Sequence, residues 1–382
     1  MTDERCALAA GIGILTVLVG WQFARAVDIG CPARFDCIWY IAMAKDWLAD
    51  DKVIPHLAMR VLPAMLVQGL GALGVSIHDG YKLLSYAGYA GFAFGCFAVL
   101  CRQRHPNANP VMALALTLII ITASPLILHS LELVYQANNA LTYPLTLALI
   151  VLTQQRRLGL LMVVAVLGVL TRQKMFALAG LSFFFLFVTA GHRNERVLAG
   201  LGMTALSGLF IGLTQYYDAS ESVLRHLTVG GGTGIPSWES VARFVATSHA
   251  EFLLLPLVPL LVLVHKESLA AFRRHWYLIG YAFVVAYQTS SVFEIAGWHN
   301  FHRLAIEGIW PLYLLVAIAL MKKPPSVPIQ SVLLVYGLGL FASSGNTLRL
   351  GLVAGVLIGF AVCVVLSNRA QSKASLGPVS GA

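Results

Sequence analysis

The feature that most constrains this chain is the recurrence of apolar runs about as long as a lipid bilayer is thick. From Ala7 to Ser367 such runs follow one another with only short polar punctuation between them, and a helix needs about 20 mostly apolar residues to cross the hydrocarbon. No intervening stretch is long enough for a separate water-soluble domain. Of the 382 residues, 58% are hydrophobic and 11% are charged, with a mean hydropathy of +0.78, whereas a soluble domain carries roughly a quarter charged residues. The expected fold is an all-α polytopic membrane helix bundle, with about 12 helices crossing or dipping.

A net charge of +9 would raise the question of nucleic acid in a soluble protein. Here Lys and Arg sit in small groups between apolar runs, the pattern of orientation by positively charged loops, and no nucleic-acid partner is expected. The candidate spans are 7–27, 80–101, 111–129, 140–155, 158–171, 174–190, 197–216, 251–265, 276–292, 304–321, 328–342 and 349–367. With the N-terminus and Arg5 cytoplasmic, the groups Arg102/Arg104, Arg156/Arg157, Arg193/Arg196, Lys266/Arg273/Arg274, Lys322/Lys323 and Arg369/Lys373 all fall on that same side. That agreement requires the apolar run 57–77 to be something other than a full crossing, because counting it would turn every later group outward. Arg60 and Pro63 near its start point the same way, and the run is expected to be a juxtamembrane or re-entrant helix on the outer face.

Residues 1–367 are thus expected to form one transmembrane domain, with outer loops 28–79 and 217–250 forming the site. The first run is too long for a signal-peptide core and is read as a retained helix. Residues 368–382, rich in Ser, Gly and Ala, are expected to be a disordered cytoplasmic tail. Cys31 and Cys37 share the first outer loop, and whether they pair is left open. The GGGTG run at 230–234 lacks the Gly-Lys-Ser/Thr ending of a phosphate loop; a lid and a plain connector are both open readings.

Chemistry is expected where polar residues gather at the outer boundary. Phe35, Ile38, Trp39 and Ala42 recur at helical spacing, which places Asp36 near a helix start with Tyr40 four residues on, on the same face. Asp36 can be a helix cap or a reactive carboxylate; spacing alone does not choose.

Five short motifs occur in order along the chain. Asp36 is followed by Trp39-Tyr40, Arg60-x-Leu62-Pro63 opens the next helix, and Ser124-Pro125 precedes a polar outer loop. Leu170-Thr171-Arg172-Gln173 then forms a turn between two short helices, and Arg303 at the mouth of a late helix is followed by Pro311 within it. Together these resemble the GT-C superfamily of polytopic glycosyltransferases, over most of the chain.

The resemblance implies a sugar on a polyprenyl phosphate as co-substrate and an acid in the first outer loop that activates the acceptor. Asp36 is then the catalytic base: a hydroxyl attacking an anomeric carbon must lose its proton, and a positioned carboxylate can take it. Asp28 is the fallback. Arg303 is implied to bind the departing phosphate, whose growing charge calls for a fixed cation, with His299 and His302 beside it; the other reading is a side chain reaching for lipid headgroups. Tyr40 and Arg60 are expected at the substrate. Arg172 and Lys174, charged amid apolar helices, are expected either to bind phosphate or to pair with Glu132, which stands where related enzymes place a second acid. A divalent cation held by Asp36, Glu132 and His299 or His302 is a further reading that no fixed spacing supports.

The function so implied is an inverting glycosyltransferase of a bacterial inner membrane. Its partners would be the bilayer, the polyprenyl-phosphate sugar and an envelope glycan, lipid or protein acceptor on the periplasmic side. The alternative is a transporter or flippase of a lipid-linked sugar or other anion. Transporters favour broken helices at mid-membrane and internal repeats, and neither is evident here.

Overall fold

The computed structural model describes residues 2–26, 28, 30–31, 37–46, 55–103, 110–123, 127, 131, 135, 137–218, 255–264, 269–296, 298–343 and 346–375; of 2–7, 55–56, 255, 269, 271, 287–296, 298–305, 346–347, 350, 364 and 366–375 it describes the backbone alone. All regular structure among the described residues is helical. In chain order the helices are α1 (Thr2–Arg25), α2 (Cys37–Lys45), α3 (Pro55–Ala58), α4 (Val61–Gly71), α5 (Ile77–Arg102), α6 (Pro110–Ile121), α7 (Ala137–Gln154) and α8 (Leu158–Thr171). They continue as α9 (Met175–Thr189), α10 (Arg193–Tyr216), a 3-10 turn at Leu255–Leu257, α11 (Val258–Val262), α12 (Leu269–Arg274), α13 (Trp276–Ala296), α14 (Trp298–Lys322), α15 (Val327–Ala342) and α16 (Asn346–Ser375).

Helix α6 is the centre of the bundle. Every residue from Met112 to Ile121 is buried, as expected of a helix that is apolar all round, and α1, α5, α14 and α15 pack about it. Outward faces are apolar too: Val17 is 70% exposed, Leu201 60%, Val335 66% and Ile358 65%. Among the described residues three helical stretches, Leu8–Arg25, Ile77–Arg102 and Arg193–Tyr216, are long and apolar enough to cross a membrane by length and composition.

Close helix contacts are made at glycine. A Cβ at Gly88 of α5 would stand 2.7 Å from the backbone of Ala140 in α7, so these two helices approach to a distance only a residue without a side chain allows. Gly88→Leu is expected to destabilise the bundle by about 3 kcal/mol or more through overpacking against backbone that cannot yield. Gly13→Leu, where nothing lies within 4 Å of the added Cβ, should be close to neutral. Thermal unfolding of both variants in detergent checks the contrast.

Two expectations shift. The run 57–77 is not one helix: it breaks at Met59–Arg60, and α4 has 11 residues, about 17 Å of helix and too short to cross a bilayer. The expected tail boundary at 368 is also passed, since α16 runs on to Ser375. Residues 368–375 (NRAQSKAS) contain no Gly or Pro, and the helix-breaking pair Gly377 and Pro378 comes only later. Residues 376–382 lie outside the described residues.

Short connections make successive helices antiparallel and sort the chain into two ends. At one end Arg156 of the α7–α8 turn meets Glu195 of α10 at 2.5 Å. The connections on either side of α13 and α14 bring Lys322 and Arg274 beside His275, where burial first and then these two cations push the imidazole down to about 4. At the other end a second apolar core, separate from the main one, collects Tyr40 and Met43 of α2, Met59, Ala64 of α4, Tyr81 of α5, Ala137 of α7 and Tyr217 after α10, with Tyr135 and Leu170 against it. Parts of four segments assigned by charge to one face, 28–79, 130–139, the TRQK turn and the start of 217–250, therefore meet at one end.

Candidate functional site

Arg60 stands at the break between α3 and α4. Its backbone N–H closes the short turn onto the Leu57 carbonyl at 2.9 Å, and Pro63 in the first turn of α4 needs no N–H partner there. The chain thereby turns the Arg60 guanidinium inward. Its Nη1 donates to the Tyr40 hydroxyl at 2.8 Å and its Nε to Gln173 Oε1 at 3.1 Å. One arginine thus joins α2, the start of α4 and the α8–α9 turn.

Tyr40 is held from a second side, because the Tyr81 hydroxyl donates to its carbonyl at 2.7 Å. The Tyr81 ring in turn lies 5.6 Å from Tyr135. His78 Nε2 lies 2.7 Å from an Asp28 carboxylate oxygen, and its Nδ1 lies 3.1 Å from the Tyr135 hydroxyl. In the tautomer whose Nε2 donates to the carboxylate, Nδ1 accepts a hydrogen bond from the Tyr135 hydroxyl. Burial first, then the Asp28 and Asp79 carboxylates, raise the Tyr135 pKa, which keeps that hydroxyl protonated. Lys82 also reaches Asp28, at 3.8 Å. Asp28 is therefore engaged in tying the first loop to α5.

Deeper in the bundle, Arg172 caps the end of α8 in an extended conformation and is 2% exposed. It pairs with Glu307 of α14, also 2% exposed, and donates to Asn139 Oδ1 of α7. Glu307 meets the charge of Arg172, a partner not singled out from sequence; Glu132 lies outside the described residues. Lys174 is half-buried at the start of α9.

The disulfide Cys31–Cys37, with Cα atoms 5.6 Å apart, closes the question left open for these cysteines. Its second half-cystine directly follows Asp36 and opens α2, where Tyr40 lies one turn on. Asp36, Glu132, Ser124 and Pro125 lie outside the described residues. His299, His302 and Arg303 are described by backbone alone, in the first two turns of α14. Position 303 lies four residues before Glu307, on the same helical face and about 6 Å along the axis. Among the described residues no three His, Cys, Asp or Glu side chains form a metal-binding group.

An unbroken path thus runs from Tyr40 to Arg60, to Gln173, to the adjacent Arg172, and to Glu307 one turn below position 303. Comparison of the chain with protein-family models, with curated proteins and with solved structures finds no match. His78, Tyr135 and Glu307 were not singled out from sequence, and Gln173 was named only as part of the Leu170–Gln173 motif. For Glu307 a signal existed: a lone acid inside one apolar run and a lone base at the end of another call for each other.

Proposed function

We propose that the protein is a multi-pass membrane glycosyltransferase of a bacterial inner membrane. It moves a sugar from a polyprenyl phosphate to an envelope glycan, lipid or protein acceptor on the outer face. The observation that carries this reading is Arg60, which hydrogen-bonds both Tyr40 and Gln173. Three of the five motifs that resemble the GT-C superfamily, far apart in sequence, are joined by that one side chain. The Cys31–Cys37 disulfide supports an oxidising compartment for this end, and the apolar outward faces support a bilayer around the bundle.

In the reaction the acceptor hydroxyl gives its proton to Asp36 as its oxygen bonds the anomeric carbon. The bond from that carbon to the phosphate oxygen breaks on the opposite face, polyprenyl phosphate leaves, and the configuration inverts. Arg303 meets the charge that grows on the leaving phosphate. Arg60 fixes Tyr40, and with it the helix that follows Asp36. Arg172, neutralised by Glu307, braces α14 against the turn and does not touch substrate.

The test is product formation by the purified chain from a labelled polyprenyl-phosphate sugar and an envelope fraction. A new glycosidic bond on an acceptor supports the proposal; movement of the labelled lipid across a vesicle membrane with no new bond would make the protein a transporter. Arg303→Ala is expected to weaken donor binding about 10- to 100-fold, the worth of a charged hydrogen bond, in a protein that still folds. An unchanged donor affinity would remove Arg303 from the phosphate.

A further inference from the structure

Arg349 lies in the first turn of α16 and is 1% exposed. Its Nε, Nη1 and Nη2 have no hydrogen-bond partner among the described residues. Arg172, as deeply buried, has a carboxylate and an amide oxygen instead. Around Arg349 stand Tyr313 of α14 and Tyr336 of α15, both held to the 255–257 turn. The Tyr336 hydroxyl donates to the Pro256 carbonyl at 3.1 Å, and the Tyr313 hydroxyl is hydrogen-bonded with the Leu257 backbone. That turn also packs against α16. The guanidinium is enclosed by α14, α15, α16 and the turn.

None of these walls can supply a counter-charge. No Asp or Glu occurs anywhere from 308 to 382, nor from 255 to 264, and Glu307 is already paired with Arg172. A guanidinium taken out of water without an anion is among the costliest groups a fold can bury. Such groups in apolar helices are kept for a ligand or a partner.

We infer that Arg349 binds a phosphate group between α14, α15, α16 and the 255–257 turn. A phosphate offers several oxygens to the planar fork of the guanidinium. The same helical turn contributes the free N–H groups and positive dipole end of a 30-residue helix. Leu348, next to Arg349, is apolar and 56% exposed, so a lipid phosphate can reach the site sideways. Inorganic phosphate has the same chemistry and would have to arrive from water. The inference stands on the Arg349 guanidinium and does not require glycosyl transfer.

The experiment uses the full chain, delipidated in an uncharged detergent. It compares phosphatidylglycerol, a diacylglycerol with the same acyl chains, and inorganic phosphate by thermal unfolding. At about a hundredfold above its dissociation constant, phosphatidylglycerol should raise the wild-type unfolding temperature by about 3 °C and diacylglycerol should not. Arg349→Gln should lose the response, Arg349→Lys should keep part of it, and delipidated Arg349→Gln should unfold above delipidated wild type because the orphan charge is gone. A matching response to inorganic phosphate supports the site and makes the soluble ion its source. If Arg349→Gln does not fold, native mass spectrometry of wild type decides: one retained phospholipid or phosphate supports the site, and a bare chain overturns it. A wild type moved no more by either phosphate than by diacylglycerol, or an Arg349→Gln variant moved as much as wild type, also overturns it.

Discussion

Asp36→Asn is expected to lower glycosyl transfer by about a hundredfold to ten-thousandfold, the range set by loss of a positioned general base. The substitution keeps the size and one acceptor oxygen but leaves nothing that can take a proton from the acceptor hydroxyl. Donor binding, which rests on the phosphate and its cations, should be nearly unchanged. The check is turnover against donor affinity in the same preparation, with Asp28→Asn alongside. Asp28 is tied to His78 at 2.7 Å and to Lys82 at 3.8 Å, so its variant should loosen the first loop yet leave transfer measurable. Wild-type turnover in Asp36→Asn with none in Asp28→Asn would move the base to the other carboxylate.

The second large effect is on stability. Glu307→Ala leaves Arg172 buried without its counter-ion, and removing one partner of such a pair costs about 3–5 kcal/mol. Arg172→Met should cost a similar amount by stranding Glu307. The double variant Arg172→Met with Glu307→Leu puts apolar groups of similar size in their place and should recover most of the loss, since buried pairs are strongly non-additive. Denaturation of the three variants in detergent gives the coupling. If Glu307→Ala alone proves neutral, the pair is not the brace that holds α14 to the α8–α9 turn. That result would also weaken the reason for placing position 303 near the site.

Much of the helix layout was legible because polar residues interrupt the apolar runs. The run expected at 158–171 is α8, Leu158–Thr171, and the run at 174–190 is α9, Met175–Thr189; Arg157 and the TRQK turn mark their ends. Of the run expected at 251–265, the described part is a 3-10 turn, Leu255–Leu257, followed by the short helix α11, Val258–Val262, with Pro256 and Pro259 among these residues. Periodicity also concealed the break at Arg60, since apolar residues continue on both sides of it. Tyr40 and Arg60, both expected at the substrate, are brought into contact, but their further pairing with Gln173 was not legible. Arg60 and Gln173 are 113 positions apart, and nothing local in either segment announces the other. The acid that meets Arg172 lies on α14, four residues after position 303, and nothing near Arg172 in the sequence announces it. Arg349 was hidden for a different reason: a single arginine in an apolar run looks like a helix-end residue until its neighbours are seen to carry no charge.

The claim on which the rest depends is that positions 36 and 303 face one phosphate at one end of the bundle. An experimental structure of the full chain in a lipid nanodisc with a polyprenyl phosphate bound tests it directly. The account predicts phosphate density within hydrogen-bonding distance of Arg303, with the Asp36 carboxylate facing the same cavity beside Tyr40. A phosphate held elsewhere, or Asp36 and Arg303 opening to opposite faces of the bilayer, would contradict it.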